Sequence, residues 1–252
     1  MEEHPFVGGN FSRARRVGDT VRRDAGPWTP TVHALLRHLR TQGFDAAPAP
    51  VAFDEREETL TYVEGETHAG WPDPMPAWVY DGEAPRSAAR LLRAFHDGSA
   101  GFRPARPVWQ VVAPTDHEVI CHNDWAPYNA IFKGNAVVAM IDWDRCGPGD
   151  RTWDLAYAAF TWVPLSSGHE DVEVSERAAR LRRFCDAYGW DDPGAIVDRI
   201  PMQLRYYADE AEREARAGHP AWTKLVEWGV PERGRHDAER IARDARALKG
   251  GH

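Results

Sequence analysis

The stretch that decides the fold is residues 119–129, which read Val-Ile-Cys-His-Asn-Asp-Trp-Ala-Pro-Tyr-Asn. An apolar run ends there in His-Asn-Asp, and Asn129 follows five residues after the Asp. A second apolar run ends at Asp142 in the same way. Polar side chains directly after buried strands form either a turn or a binding site. The remainder of the sequence decides between these two interpretations.

The bulk composition excludes several classes of protein. The chain has 252 residues, 42% of them hydrophobic, and its net charge of −8 argues against a broad nucleic-acid-binding surface. Its three cysteines form no Cys-x-x-Cys pattern, so neither a disulfide framework nor a zinc site is indicated. The first residues do not read as a signal peptide, and no apolar run approaches the length of a membrane span. We therefore expect a cytoplasmic protein without nucleic-acid or membrane partners.

The order of the predicted elements indicates an α+β protein. Within residues 1–66, two strands flank a Gly-Asp turn, a helix begins near Thr29, and two further strands follow over 49–53 and 59–63. A proline-rich loop, a short β insert and amphipathic helices make up residues 67–252. The predicted helices of this part cover residues 86–97, 151–163, 175–189, 194–217 and 232–248. The predicted domains are therefore a small β-rich unit, 1–66, and a larger helical unit, 67–252.

The β insert brings the two polar stretches to one place. A hairpin of the length between Asn129 and Asp142 puts both residues at the same end of the insert. Oxygen ligands from an amide and a carboxylate suit Mg²⁺ held against phosphates. Asp124, on the preceding loop, can accept a hydroxyl proton or orient a nucleophile, which completes the division of labour of a phosphotransferase site. For any one residue alone, a role in a turn or cap is the better explanation, and only the set favours function.

The wider sequence resembles the aminoglycoside phosphotransferase and choline kinase-like family. The resemblance lies in His-x-Asp-x-x-x-x-Asn at 122–129, Ile-Asp-Trp-Asp at 141–144 and Gly-Asp-x-x-x-Asp-Leu-Ala at 149–156. It is specific over residues 118–160 and weaker but collinear over 6–66. It implies an α+β, two-lobed, protein-kinase-like fold with a small β-rich N-lobe and a larger, mainly helical C-lobe. It also implies a small-molecule kinase that uses Mg²⁺ and ATP or GTP.

The resemblance assigns roles to single residues of the two stretches. It implies that Asp124 is the catalytic Asp and that Asn129 and Asp142 bind Mg²⁺. A metal hydrolase would be the rival interpretation of His122-x-Asp124. That rival needs more His or acidic ligands at metal-binding spacing, and none stands out in the sequence.

Three further residues are implied to support the site. His122 is implied to be a structural hydrogen-bonding residue of the loop, for which a core histidine is the structural alternative. Asp154 is implied to brace the catalytic loop from the start of a helix. Asp144 stays ambiguous between a carboxylate that faces substrate or backs the metal ligands and a simple turn residue.

A kinase also needs a cation on the nucleotide phosphates, and the family supplies it as a strand Lys. No Lys precedes Lys133 here, and Arg22 matches the Lys position. A register slip of one residue would select Arg23 instead, because strand neighbours point to opposite faces. The acidic partner expected on the following helix is missing. A solvated Arg on an edge strand is the structural alternative.

The remaining nucleotide contacts are predicted from the same resemblance. Gly9 and Ser12 lie where a phosphate-covering loop belongs, although turn formation explains them equally well. Tyr62, Val63 and Glu64 match the hinge whose backbone hydrogen-bonds adenine, so their side-chain identity matters little.

The acceptor end leaves two function classes open. Acidic C-terminal segments would attract a polycationic acceptor such as an aminoglycoside, but solvated helix faces explain the same acids better. The first class is a small-molecule kinase acting on a hydroxyl of an antibiotic or another metabolite, with antibiotic resistance as its use. The second is a catalytically weak or inactive member that binds a ligand as an immunity protein.

Overall fold

The computed structural model describes residues 3–5, 14–68 and 74–250 of the chain. They belong to two compact units, Met1–Asp154 and Leu155–His252. The first unit holds an antiparallel sheet, two helices and short β pairs, and the second is helical. The predicted boundary between lobes at residue 66 is a different division of the chain and stays a prediction.

The N-terminal sheet has five antiparallel strands in the order β1-β2-β3-β5-β4. They are β1 (Glu3–Pro5), β2 (Arg15–Val17), β3 (Thr20–Asp24), β4 (Pro50–Phe53) and β5 (Glu57–Thr61). A two-residue turn joins β2 to β3, and Gly18 supplies the left-handed backbone, φ 60°, that such a turn needs. Strand β3 lies between β2 and β5, so both of its edges are fixed by pairing.

Helix α1 (Thr29–Thr41) follows β3 and lies where the sequence predicts a helix. Thr29 is its first helical residue, and the Thr29 hydroxyl accepts the Gly26 amide at 2.9 Å. Its apolar stripe, which includes Leu35 and Leu39, is fully buried. Burial of one stripe fixes which way the remaining α1 side chains turn.

Helix α2 (Glu83–Ser99) and two β pairs complete the first unit. The pairs are β6 (Val119–Cys121) with β9 (Gly147–Gly149), and β7 (Ala130–Lys133) with β8 (Ala136–Met140). The second pair is the predicted hairpin. Strand β9 is not predicted, because Gly-Pro-Gly carries no strand-forming side chain. Gly147 is required there, since a Cβ would lie 1.7 Å from the Val111 carbonyl oxygen.

Helices account for the second unit. They are α3 (Arg151–Trp162), which begins in the first unit, α4 (Val174–Tyr188), α5 (Pro193–Arg216), α6 (Pro220–Glu227) and α7 (Val230–Leu248). Asp192 caps α5 by accepting the Ala195 amide at 3.0 Å. Only the short α6 is missing from the sequence prediction for these helices. No helix in the described part of the chain is long and apolar enough to cross a membrane.

All three cysteines are buried as free thiols. Burial raises the pKa of the Cys121 and Cys146 thiols well above the ordinary value, and that of Cys185 to about 12. They therefore pack as small apolar side chains, in keeping with the expectation of no disulfide framework.

Candidate active site

Asp154, in the first turn of α3, holds the loop that follows β6. Its carboxylate accepts the amide N–H of His122 at 2.6 Å and that of Asn123 at 2.9 Å. Nε2 of His96, on α2, lies 3.1 Å from the same carboxylate. Burial alone would raise the pKa of Asp154, but His96 and the loop amide lower it below the ordinary value. The loop therefore rests on a buried, ionised carboxylate, which is the position that its predicted bracing role requires.

Asn123 gives the loop its sharp turn. Its backbone is left-handed, with φ 63°, a conformation that Asn tolerates better than most residues. Its side-chain amide donates to the Arg145 carbonyl at 2.7 Å, and the Trp153 indole donates to its side-chain oxygen at 3.2 Å. The turn is thus fixed on three sides, and Asp124 is the next residue.

Both carboxylate oxygens of Asp124 accept hydrogen bonds from the same loop. The Tyr128 hydroxyl donates to Oδ1 at 2.5 Å, and Asn129 Nδ2 donates to Oδ2 at 2.9 Å. Burial raises the pKa of Asp124, and the Tyr128 hydrogen bond opposes that rise. An oriented carboxylate with a raised pKa is suited to accepting a hydroxyl proton near neutral pH.

The β7–β8 hairpin brings the second Asp stretch to this loop. The Ile141 amide donates to the Asn129 carbonyl at 2.8 Å, which places Asp142 next to the end of the loop. Asp142 has a left-handed backbone, φ 61°, which is uncommon outside glycine and recurs at functional sites. The structure therefore brings Asp124, Asn129 and Asp142 together within the first unit.

Asn129 and Asp142 offer oxygen donors of the kind that Mg²⁺ prefers. The Asn129 amide nitrogen is engaged with Asp124, which leaves its carbonyl oxygen as the ligating atom. The Asp142 side chain is 39% exposed, so a cation can reach it. Within the described residues there is no metal-binding cluster of three or more His, Cys, Asp or Glu. The two donors fit a cation that shares its remaining ligands with phosphate and water, rather than a closed protein cage.

Arg23, on β3, is the buried cation of the site. Its Nε donates to Glu58 at 2.6 Å, Nη1 to Asp142 at 3.0 Å and Nη2 to Asp144 at 2.5 Å. Burial alone would lower the pKa of Arg23, but Asp144, Glu58 and Asp142 together raise it, so the guanidinium stays charged. One planar fork thus serves three carboxylates, a geometry that Lys cannot reproduce.

Arg22, the residue preferred from sequence, lies on the opposite face of β3. Its side chain is 40% exposed, and Nη1 lies 3.6 Å from Glu57, which also pairs with Arg15. The register explains the difference, because Arg23 stands directly opposite Glu58 on β5 and Arg22 opposite Thr59. The cation that faces the second Asp stretch, at Asp142 and Asp144, is therefore Arg23. The placement gives no support to Arg22 as the phosphate-binding residue.

Glu58 and His33 back the guanidinium from the inside of the unit. His33, on α1, places Nε2 2.7 Å from Oε2 of Glu58. Both side chains are fully buried. Burial alone would raise the pKa of Glu58, but the His33 hydrogen bond and the Arg23 charge lower it. The acidic partner that is missing from the helix is thus supplied by the neighbouring strand.

Asp144 is the third carboxylate on Arg23. It lies one residue past the tryptophan that follows Asp142, in a short helical turn, and is only 15% exposed. Burial raises its pKa to about 6; Arg23 opposes the rise, and Asp142 and Glu58 add to it. Of the two roles left open by the sequence, the structure favours a carboxylate that backs the site over a simple turn residue.

The predicted hinge follows β5 directly. The Tyr62 amide donates to the Asp19 carbonyl at 2.9 Å, and the Tyr62 ring packs under the Arg16 guanidinium at 3.6 Å. The Tyr62 N–H is therefore already engaged. Adenine recognition by Val63 and Glu64 stays a prediction. The other two predicted contacts, Gly9 and Ser12, lie outside the described residues.

His122 is packed among aromatic rings rather than directed at the site. Its ring lies 5.4 Å from the Trp125 ring and 4.9 Å from the Trp143 ring, both edge to face. It is fully buried, and burial lowers its pKa. It thus sits as a packing residue beneath the loop, as in the core-histidine alternative, and the hydrogen-bonding role that the resemblance implies stays a prediction.

Sequence reasoning did not identify Glu58, His33, His96 or Tyr128 as part of the site. The sequence carried one signal for Glu58. Arg22-Arg23 lies on one predicted strand and Glu57-Glu58 directly before the next, and antiparallel pairing of the two strands puts one Arg and one Glu on each face of the sheet. Nothing local to His33 or His96 indicates their partners, because these partners lie 25 and 58 positions away in the chain.

Comparisons with known proteins agree with this geometry. Residues 103–196 match the model of a family described as a phosphotransferase enzyme family. A trifolitoxin immunity protein of Rhizobium leguminosarum bv. trifolii is 33% identical over 234 residues, which cover 85% of this chain and 85% of the relative.

Solved structures show the same fold at low sequence identity. A choline/ethanolamine kinase family protein from Mesorhizobium loti is 16% identical with a TM-score of 0.65, covering 100% of this chain and 93% of its own. An ADP-bound aminoglycoside phosphotransferase is 13% identical with a TM-score of 0.61, covering 96% and 94%. The predicted α+β, protein-kinase-like fold is therefore confirmed. With 33% identity to a relative over most of both chains and the family match over residues 103–196, the chain belongs to the phosphotransferase enzyme family.

Proposed function

We propose that this chain is a Mg²⁺-dependent small-molecule kinase that transfers the γ-phosphoryl group of ATP or GTP to a hydroxyl of a toxic or otherwise bioactive compound. The observation that carries the proposal is the convergence of Asp124, Asn129, Asp142 and Arg23 in one unit. These residues supply a proton acceptor, two oxygen ligands for a cation and a charged group for phosphate. Each is a component that phosphoryl transfer requires.

Asp124 receives the acceptor hydroxyl in this proposal. The Tyr128 hydroxyl, 2.5 Å from Oδ1, marks where an acceptor hydroxyl would donate its own hydrogen bond. Tyr128 is 38% exposed, so it can yield that position to an incoming compound. Asn129 keeps Oδ2 in place during the exchange. The carboxylate then takes up the proton as the oxygen attacks the γ-phosphorus, and the bond from that phosphorus to the β–γ bridging oxygen breaks to release ADP or GDP.

The nucleotide end is held by Asp142, Asn129 and Arg23. Bound Mg²⁺ would neutralise phosphate charge between the Asn129 and Asp142 oxygens. The terminal amino groups of Arg23 would exchange carboxylates for phosphate oxygens, which they grip in the same bidentate fashion. The net effect is to orient the phosphate chain toward Asp124.

The names of two similar proteins support a proposal for the acceptor class. One relative is named for immunity to a toxin, and one similar structure is named as an aminoglycoside phosphotransferase. We propose an acceptor of the same kind, an aminoglycoside-like antibiotic or another hydroxylated toxic compound that loses its action when phosphorylated.

A phosphoryl-transfer screen tests the proposal. Purified protein is incubated with ATP or GTP, with and without Mg²⁺, and with hydroxylated antibiotics and metabolites, and products are read by mass spectrometry. A mass gain of one phosphoryl group that needs both Mg²⁺ and Asp124 supports the proposal. Absence of transfer and of nucleotide hydrolysis across the screen contradicts it.

The alternative function is immunity by binding without turnover. It is favoured by the position of Arg23, which occupies the Asp142 carboxylate that a cation would need. In that case the protein binds the toxic compound, and an Asp124→Asn variant protects cells as well as the wild type does. Loss of protection in the same variant supports the kinase.

A further inference from the structure

Arg23, the buried cation of the site, is held by a carboxylate on a neighbouring strand and not by one on helix α1. In the described residues of α1 no Glu or Asp faces Arg23; instead His33 contacts Glu58, and Glu58 contacts Arg23. The three side chains form a series of hydrogen bonds that runs from α1 through β5 to β3. Its inner end is closed to solvent, with exposed fractions of 0% for His33, 2% for Glu58 and 7% for Arg23.

The direction of the hydrogen bonds divides the guanidinium into two edges. Nε faces Glu58 at 2.6 Å, and the two terminal nitrogens face Asp142 and Asp144 at 3.0 and 2.5 Å. The Nε edge is deeply buried, whereas the Asp142 side is 39% exposed. A ligand arriving from solvent can therefore replace the carboxylates only at the terminal edge.

We propose that Glu58 and His33 are positioning residues that fix Arg23 by its Nε edge, so that its terminal amino groups can exchange Asp142 and Asp144 for nucleotide phosphate. This inference rests on the proposed function, in which Arg23 binds phosphate. In this proposal Glu58 of β5 and His33 of α1 together hold Arg23 of β3 in place. Neither residue touches the nucleotide.

A change of Glu58 distinguishes two explanations of its effect on nucleotide binding, a positioning role and a simple effect of its charge. Loss of one negative charge beside a phosphate site strengthens phosphate binding if only net charge matters. Replacement of the Glu58 carboxylate by the neutral amide of Gln weakens the Nε contact, so the guanidinium is held more strongly by Asp142 and Asp144, and Asp142 is one of the two proposed cation ligands. A positioning role therefore predicts weaker Mg-nucleotide binding, whereas net charge alone predicts stronger binding.

Glu57 provides a matched control. It neighbours Glu58 on β5, has the same chemistry and also pairs with arginines, but it does so on the other face, with Arg15 and Arg22. The variants Glu58→Gln and Glu57→Gln thus remove the same charge one position apart. His33→Phe keeps a ring in contact range of Phe53 but removes the nitrogen, whereas His33→Gln keeps a donor.

The experiment is calorimetric titration of Mg·ATP and Mg·GTP into wild type and the four variants, with thermal denaturation to show that each is folded. We expect E58Q and H33F to raise the dissociation constant roughly tenfold or more, as loss of a charge-assisted contact implies. E57Q stays within about twofold of wild type, and H33Q recovers most of the H33F loss. The Mg²⁺ concentration needed for half-maximal nucleotide binding rises in E58Q.

Each outcome decides one of the two proposals. If wild type binds neither nucleotide, the proposed function is wrong, whatever the variants do. If wild type binds and E58Q binds as tightly as E57Q, or more tightly, Glu58 is not a positioning residue and the proposed function stands. Should E58Q be unfolded, the H33F and H33Q pair decides: equal affinities for the two overturn the inference.

Discussion

The Nη1 group of Arg23 donates to Oδ1 of Asp142 over 3.0 Å, although 119 positions of sequence separate the two residues. Arg23 comes from the N-terminal sheet and Asp142 from the end of the β7–β8 hairpin. The contact ties the predicted phosphate-binding strand to the predicted cation ligand. It also makes the two functions interdependent, because a carboxylate engaged by Arg23 is a weaker ligand for a cation.

This contact predicts unequal effects of the two adjacent arginines. Arg23→Ala should weaken Mg-nucleotide binding by about 1.5–3 kcal/mol, or roughly ten- to a hundredfold, the usual value of a charge-assisted contact. Arg22→Ala should cost less, since Arg22 faces Glu57 on the other side of the sheet. Calorimetric titration of both variants checks the order. A larger loss for Arg22→Ala would restore the preference drawn from sequence.

Asp142 and Asp124 should fail in different ways when each is changed to Asn. Asp142→Asn removes a formal charge from the predicted Mg²⁺ site, so Mg-nucleotide binding and turnover should fall together. Asp124→Asn leaves the oxygen ligands of Asn129 and Asp142 in place. It should keep nucleotide affinity near that of wild type and lower turnover by about 10²–10⁴-fold.

The measurement for this pair is nucleotide titration with and without Mg²⁺, next to phosphoryl transfer to any accepted hydroxyl. Near-normal turnover in Asp124→Asn would show that the loop of residues 119–129 is not catalytic. The turn interpretation of the same residues would then be the better one.

Asp154 predicts a specific dependence of stability on pH. Its pKa in the fold is lowered below the ordinary value of about 3.9, so its contribution is fully present above about pH 4. That contribution is lost as the pH falls through the lower, folded-state pKa. Asp154→Asn should cost about 2–4 kcal/mol at neutral pH, because three donors lose an ionised acceptor.

Chemical denaturation at several pH values tests this prediction. Wild type should lose stability relative to the variant only at acid pH, so the two stabilities converge as the pH falls below about 4. A constant difference between the two proteins down to the lowest pH would contradict the assignment of an ionised Asp154.

Gly147 predicts a steric effect in the unpredicted strand β9. A Cβ there would lie 1.7 Å from the Val111 carbonyl oxygen, so Gly147→Ala should destabilise the protein by several kcal/mol, roughly 2–4. Gly101→Ala is the control, because a Cβ at Gly101 meets nothing within 4 Å. Equal unfolding midpoints for the two variants would show that the 110–113 segment moves aside without cost.

The helices and the β7–β8 hairpin follow from sequence because their signals are local. Periodic apolar residues and a Lys-Gly-Asn turn lie within a few positions of each other. The signal of the loop of residues 119–129 is also local, since Asp124 and Asn129 stand five positions apart. By contrast, α6 has only eight residues and β9 consists of Gly-Pro-Gly, which has low strand propensity, so neither gives a clear sequence signal.

The arrangement around Arg23 could not be derived in the same way. Its three partners come from two separate segments, Glu58 from β5 and Asp142 and Asp144 from the turn after β8, and one residue of register decides whether Arg22 or Arg23 faces them. Both arginines satisfy the local pattern equally. Pairing of β3 with β5 settles the choice, and that pairing is a property of the folded sheet.

The three-carboxylate grip on Arg23 also constrains how this sequence can evolve. A single change of Arg23 to Lys would leave a point charge where a planar fork now serves Glu58, Asp142 and Asp144, and at least one buried carboxylate would lose its partner. A lysine at this strand position should therefore be better tolerated when Glu58 or Asp144 is changed as well. The shape of one side chain thus limits which residues its three neighbours can be exchanged for, because each of them is matched to a different nitrogen of the same planar group.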